Sequence, residues 1–197
     1  MQGIRVSARF AHNQRVNLTV KSYAPIVATR LPVKLPLSLC VGTNTMNPPE
    51  LIQLSRDLEL DGEDQFKLRV AFGVACIERV EHLLTDHLVI NCLSRGKAYL
   101  SGEYSEHDLA EAAAKASQLA KSHSGSSSID GTGSAAVSTS HGVAAALAGR
   151  ALVAAEYAAY ARVYSYASHA VTDLSAYEDE HAWQLKKLQA LAASDEY

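Results

Sequence analysis

The stretch 143–191, VAAALAGRALVAAEYAAYARVYSYASHAVTDLSAYEDEHAWQLKKLQAL, decides the fold. Alanine dominates it, charges are few, and Val153, Tyr157, Tyr160, Tyr164 and Val171 share one face at helical spacing. Alanine is the best helix former, and its single methyl lets neighbouring helices lie close. The spacing predicts a long helix from near Ser140 whose tyrosines are core rings with hydroxyls at the rim. A ligand pocket is the other reading of those rings. Ser175-Ala176-Tyr177-Glu178 fits a capping box and predicts a last helix through Leu185, Leu188 and Leu191.

Working back from this stretch, punctuation marks further helices. Pro48 and Pro49 suit the first turn of a short helix through Leu51, Ile52 and Leu58. Asp61-Gly62 ends it, and Glu63 and Asp64 suit the positive end of the next. That helix carries Phe66, Val70, Gly73, Ile77, Val80 and Leu84 as a packing seam, where Gly73 is costly unless a neighbour approaches it closely. Thr85 or Asp86 caps a helix through Leu88, Cys92, Leu93, Tyr99 and Leu100, with Gly102 as its C′ residue. Ser105-Glu106-His107-Asp108 is a second capping box, ahead of an inner face of Leu109, Ala113, Ala116 and Ala120. Residues 122–142, rich in serine and glycine, predict a flexible loop. The expectation is an all-α bundle of about five to six helices over 46–197.

Residues 1–45 differ. They hold Arg5, Arg9, Arg15, Lys21, Arg30 and Lys34 and no acid, a charge of +6 against −3 for the whole chain, which leaves −9 for 46–197. Ile4, Val6, Ala8 and Phe10 alternate as in a strand, and Pro25, Pro32 and Pro36 interrupt any regular element. A disordered tail, a small strand addition, a transit peptide or an extension upstream of Met46 all fit, and the arm or the extension fits best. The apolar runs fall short of a membrane span. Cys40, Cys76 and Cys92 are odd in number and lack C-x-x-C spacing, which points to reduced thiols in a cytoplasm.

The chemistry is sparse. Glu178-x-x-His181 has the spacing of a ferritin-like ligand pair, and Glu78, Glu156, Glu178 and His181 form the candidate set for a metal oxidoreductase. A full site needs a second such motif, so solvated acids beside a surface histidine is the plainer reading. His87 reads as a core or rim histidine and Cys76 as a small, semi-buried hydrophobe. No phosphate-binding loop and no G-x-S-x-G frame occurs. Arg79, beside the seam, needs a carboxylate partner such as Glu156 or Glu180 if it is buried, and otherwise serves as an exposed binding group.

Three segments carry a family resemblance. Cys76-Ile77-Glu78-Arg79-Val80 resembles a C-A-E-R-V helix. The run from Cys92 to Ser105, followed by Leu109, resembles an A-x-A-W-x-x-G-E-I-S-x-x-x-L connection. Glu180-x-x-Trp183-Gln184-x-x-x-Leu188 resembles an E-x-x-W-Q-x-x-x-L finish. In this order, over Leu51 to Leu191, they are similar to the all-α immunity proteins of bacterial polymorphic-toxin systems, the group numbered five. Ala75 stands where an acid is expected, and the basic arm lies outside the pattern. The resemblance implies a cytoplasmic protein that binds and neutralises a cognate protein toxin, with no turnover, cofactor, nucleic acid or membrane. It marks Glu78, Arg79, Glu180, Trp183 and Gln184 as binding or motif positions. A basic toxin would suit the acidic body. A third reading is a structural module that self-associates through its alanine and tyrosine face.

Overall fold

The computed structural model describes residues 46–123, 132–166 and 168–194, within one compact unit, Leu35–Tyr197. The basic segment 1–45 lies outside the described residues, so its readings stay as expectations. The fold is all-α. Among the described residues there are seven helices and no strand: α1 (Pro49–Asp57), α2 (Phe66–Glu78), α3 (His87–Leu100), α4 (Glu106–Ser122), α5 (Thr132–Leu147), α6 (Ala151–Tyr166) and α7 (Glu178–Ala193). Short 3-10 turns occupy Glu63–Gln65, Glu81–Leu83, Ser168–Thr172 and Leu174–Tyr177.

Helix α2 is the centre of the bundle. Val70 to Ile77 are buried at every position, because α3, α5, α6 and α7 all pack on it. A helix apolar all round belongs in the middle of a core, so the expected one-sided seam is too narrow a description. The helix also stops at Glu78, and Val80 and Leu84 carry the burial on through the following turn. Gly73 has a packing reason: a Cβ there would lie 2.9 Å from Ala146 Cα, so α5 crosses α2 backbone to backbone.

The expected loop over 122–142 is corrected. Helix α4 runs to Ser122 and α5 begins at Thr132, leaving only 124–131 outside the described residues. Serine and threonine pack here because their hydroxyls bond back to their own helix. Thr139 Oγ1 donates to Ala135 O (2.9 Å) and Ser140 Oγ to Ala136 O (3.0 Å), so neither needs water. Small side chains bring α5 against α2, α4 and α6, and a Cβ on Gly142 would lie 2.5 Å from Ile77 Cδ1. The single long helix expected from Ser140 is two helices. Gly149 takes φ +67° and ends α5, with Gly149 N–H donating to Ala146 O and Arg150 N–H to Ala145 O. This break divides one expected helix in two and gives seven helices in place of five or six.

Other termini follow the local chemistry. Asp86 accepts the Leu88 N–H at 2.8 Å, Ser105 and Asp108 form a reciprocal capping box, and Gly102 (φ +82°) closes α3. The Ser175 capping box does not form. Asp173 caps the preceding 3-10 turn instead, accepting from Ser175 N–H and Oγ, and α7 starts at Glu178 without a side-chain cap. No helix among the described residues is long and apolar enough to cross a membrane.

Candidate functional site

The most constrained polar group in the described residues is Glu180. It lies in the first turn of α7, where the positive helix end favours a carboxylate, and it is 1% exposed. Arg79 caps the C-terminus of α2, the end that favours a cation. Its Nε donates to Glu180 Oε2 at 2.9 Å and lies 3.2 Å from Oε1. Arg162 of α6 brings its own Nε to 3.2 Å from the same Oε2. One turn on from Glu180, the buried Gln184 donates from Nε2 to Ala155 O of α6 at 3.0 Å. Trp183 lies beneath Arg79, whose guanidinium sits 4.1 Å from the ring centroid. One buried carboxylate thus ties the end of α2, the C-terminal half of α6 and the start of α7.

Four of the five expected binding or motif positions meet here: Arg79, Glu180, Trp183 and Gln184. Glu78 does not. It is exposed and pairs with Lys97 (3.2 Å), which also holds Glu81 (2.8 Å). Arg162 belongs to the cluster and was missed. Nothing local in the sequence joins residue 162 to residue 180, and only the packing of α6 on α7 does so. Glu180, not Glu156, is the partner of Arg79.

The groups around this staple are unsuited to nucleophilic chemistry. Cys76, one turn before Arg79, is fully buried rather than semi-buried; burial pushes its thiol well up, and the Glu180 charge adds to this. A thiol held protonated is a poor nucleophile. His181 stacks on Tyr177 with ring centroids 5.7 Å apart, and burial lowers its pKa. Tyr177 donates to Val171 O at 3.0 Å and is pushed up to about 12, by burial first and then by Tyr160 and Tyr166. Tyr160 and Tyr164 stack on each other and Tyr157 on His141, all half-buried, as expected of core rings reaching the rim. His87 is exposed at the first position of α3, not packed into the seam.

The alternative metal set does not converge. Glu78 faces Lys97, Glu156 Oε1 accepts the Met46 N–H at 3.1 Å, Glu178 is exposed and His181 lies on Tyr177. Ligand atoms of His107, Asp108 and Glu111 do lie within 4.8 Å of one another. Their carboxylates are engaged otherwise: Arg95 sits 3.9 Å from Asp108 and 3.5 Å from Glu111, and Asp108 also caps α4.

A second feature is the turn between α1 and α2. Glu59, Asp61, Glu63 and Asp64 are all exposed there, and none has a cationic partner among the described residues. The turn is held from within, since Arg69 Nη1 donates to the carbonyls of Leu60 and Gly62. Glu59 takes φ +47°, a left-handed conformation that glycine or asparagine adopts more cheaply. A cleft of about 200 Å³ adjoins the turn, lined by Ser55, Leu60, Asp61, Gly149 and Arg150 among others. With the fold and these sites in view, no protein-family model, curated protein or solved structure matches the chain.

Proposed function

We propose that this protein acts by binding, as an immunity protein that neutralises a cognate bacterial toxin by covering it, in the cytoplasm of the cell that makes both. The observation that carries this reading is the α1–α2 turn, a rigid loop that presents four carboxylates unpaired among the described residues. Residues 46–197 carry −9, so a basic toxin such as a nuclease would be drawn to this surface. Glu59 adds support, because a carboxylate kept where glycine is easier is backbone strain of the kind that gathers at functional positions. The similarity of the Arg79, Glu180 and Trp183 segments to the immunity family points the same way. In this reading the buried staple keeps the binding surface in one shape, so that little ordering cost falls on association.

The test is co-expression with the toxin domain encoded beside the gene, scored by growth and by co-purification. Protection with a stable complex supports the reading. Failure of both, with the toxin shown to be active, rejects it. Changing Glu59 and Asp61, which lie outside the first turn of the next helix, to their amides should slow association at low salt while leaving the thermal midpoint nearly unchanged.

A further inference from the structure

Two arginines converge on one carboxylate, and the charges do not cancel. Arg79 and Arg162 both direct Nε to Glu180 Oε2, so two guanidinium groups share a single negative charge. Each guanidinium is planar and carries five N–H donors. With Nε turned inward, the Nη1/Nη2 edge of each remains, and neither edge has a protein partner among the described residues. Both are within reach of solvent, with side chains 26% and 40% exposed, while the carboxylate that orients them is 1% exposed. Glu178 and Asp179 lie exposed in the same turn of α7, so the positive charge is that of the Arg79–Glu180–Arg162 triad alone, held on a fixed frame.

We propose that the outer edges of Arg79 and Arg162, set by buried Glu180 and backed by the Trp183 ring, form a binding site for a carboxylate. The planar edges fit a carboxylate in the bidentate manner, and the triad of two cations and one anion leaves one positive charge to match it. The carboxylate comes from a small organic acid or from an acidic side chain of a bound protein. The proposal goes beyond neutralisation by the acidic turn and does not depend on it.

Trp183 is the sole tryptophan of the chain and lies in the site, so its emission reads occupancy directly. Malonate is titrated into the full chain at constant ionic strength. A parallel titration uses a blocked peptide carrying one aspartate, against the same peptide with asparagine. Saturable change is expected in at least one arm, and that arm identifies the source. In Arg162→Gln, which keeps the Arg79–Glu180 pair, the midpoint should weaken at least about tenfold, the usual order for losing one charge-assisted contact. Arg150→Gln, a change at an exposed arginine of the same bundle, should leave the midpoint unchanged. Absence of saturable change in both arms overturns the site, as does equal weakening by Arg150→Gln. Neither arm uses a toxin, so loss of this site leaves the immunity reading standing, and failure of toxin protection leaves this site standing.

Discussion

Arg79→Ala should destabilise the fold by about 3–4 kcal/mol and Arg162→Ala by less than about 1, although both arginines touch one carboxylate oxygen. Removing one partner of a buried ion pair costs about 3–5 kcal/mol, because the remaining charge stays desolvated. Glu180, 1% exposed, is that remaining charge. Two facts move the value to the low end: Arg162 still lies 3.2 Å from Oε2, and Arg79 is 26% exposed, so water can enter the gap it leaves. Losing the cation stacked 4.1 Å over Trp183 adds about 1 kcal/mol. Arg162 is 40% exposed, and screening holds its share to the surface range. Urea unfolding followed by far-ultraviolet circular dichroism reads both variants. With a slope of about 1–3 kcal/mol per molar for a domain of this size, Arg79→Ala should lower the midpoint by at least about 1 M. The pair Arg79→Met with Glu180→Leu should recover most of the loss, since apolar replacement of a buried pair is often neutral. Equal shifts for the two single variants, or a loss under about 1 kcal/mol for Arg79→Ala, would refute the claim that burial of Glu180 makes Arg79 indispensable.

Gly73→Ala should lower stability by about 1–2 kcal/mol in thermal unfolding, because clash with Ala146 Cα outweighs the roughly 1 kcal/mol gain in helix propensity; a stabilised variant refutes the close crossing. Glu59→Gly should stabilise by about 0.5–1 kcal/mol by relieving the left-handed backbone, read by the same measurement, and a loss would mean that the side chain supports the turn. His141 and His181 both have pKa values lowered by burial from 6.5, so below that pH the unfolded chain takes up protons first. Their contribution is therefore present above 6.5 and lost as pH falls, by at most about 1.4 kcal/mol per pH unit for each group. Changing both to glutamine should flatten the stability–pH curve on the acid side, and an unaltered slope speaks against buried neutral imidazoles. In a Cys40→Ser, Cys92→Ser background, Cys76 should resist a thiol reagent until the protein unfolds, and prompt labelling in native buffer contradicts its burial.

Elements whose signal is local were legible in the sequence. The capping box at Ser105, the Asp86 cap and the Gly102 terminator each depend on residues within four positions of one another, and all three form. The first half of helix α5, before Ser140, was not legible, because Ser134, Ser138, Thr139, Ser140 and Gly142 look like linker composition. What separates a serine-rich helix from a serine-rich loop is whether small residues recur at intervals of three and four. Ala135, Ser138, Gly142 and Ala145 do so, and all four are buried. That spacing, rather than hydrophobicity, was the available signal, and it marks a helix whose purpose is close approach. The Ser175 box failed for a related reason: Asp173 lies two residues upstream and captures the Ser175 N–H and hydroxyl first.

The candidate site divides along the same line. An arginine beside an apolar seam needs a partner if it is buried, and Arg79 was readable as a staple on that condition, with an exposed binding group as the other reading. The choice between Glu156 and Glu180 was not readable, because it depends on which helix face turns toward the end of α2. Helix packing settles it for a reason visible only in three dimensions. Glu180 sits at the positive end of α7 and Arg79 at the negative end of α2, so each end already favours the charge it carries. Glu156 lies mid-helix in α6 and has no such end to favour it. Arg162 then arrives on the same carboxylate from a third helix. One acid suffices to fix three helices, but it cannot neutralise two guanidinium groups. The staple that holds the bundle together therefore leaves a positive charge facing outward, and that surplus makes a structural device a candidate contact surface.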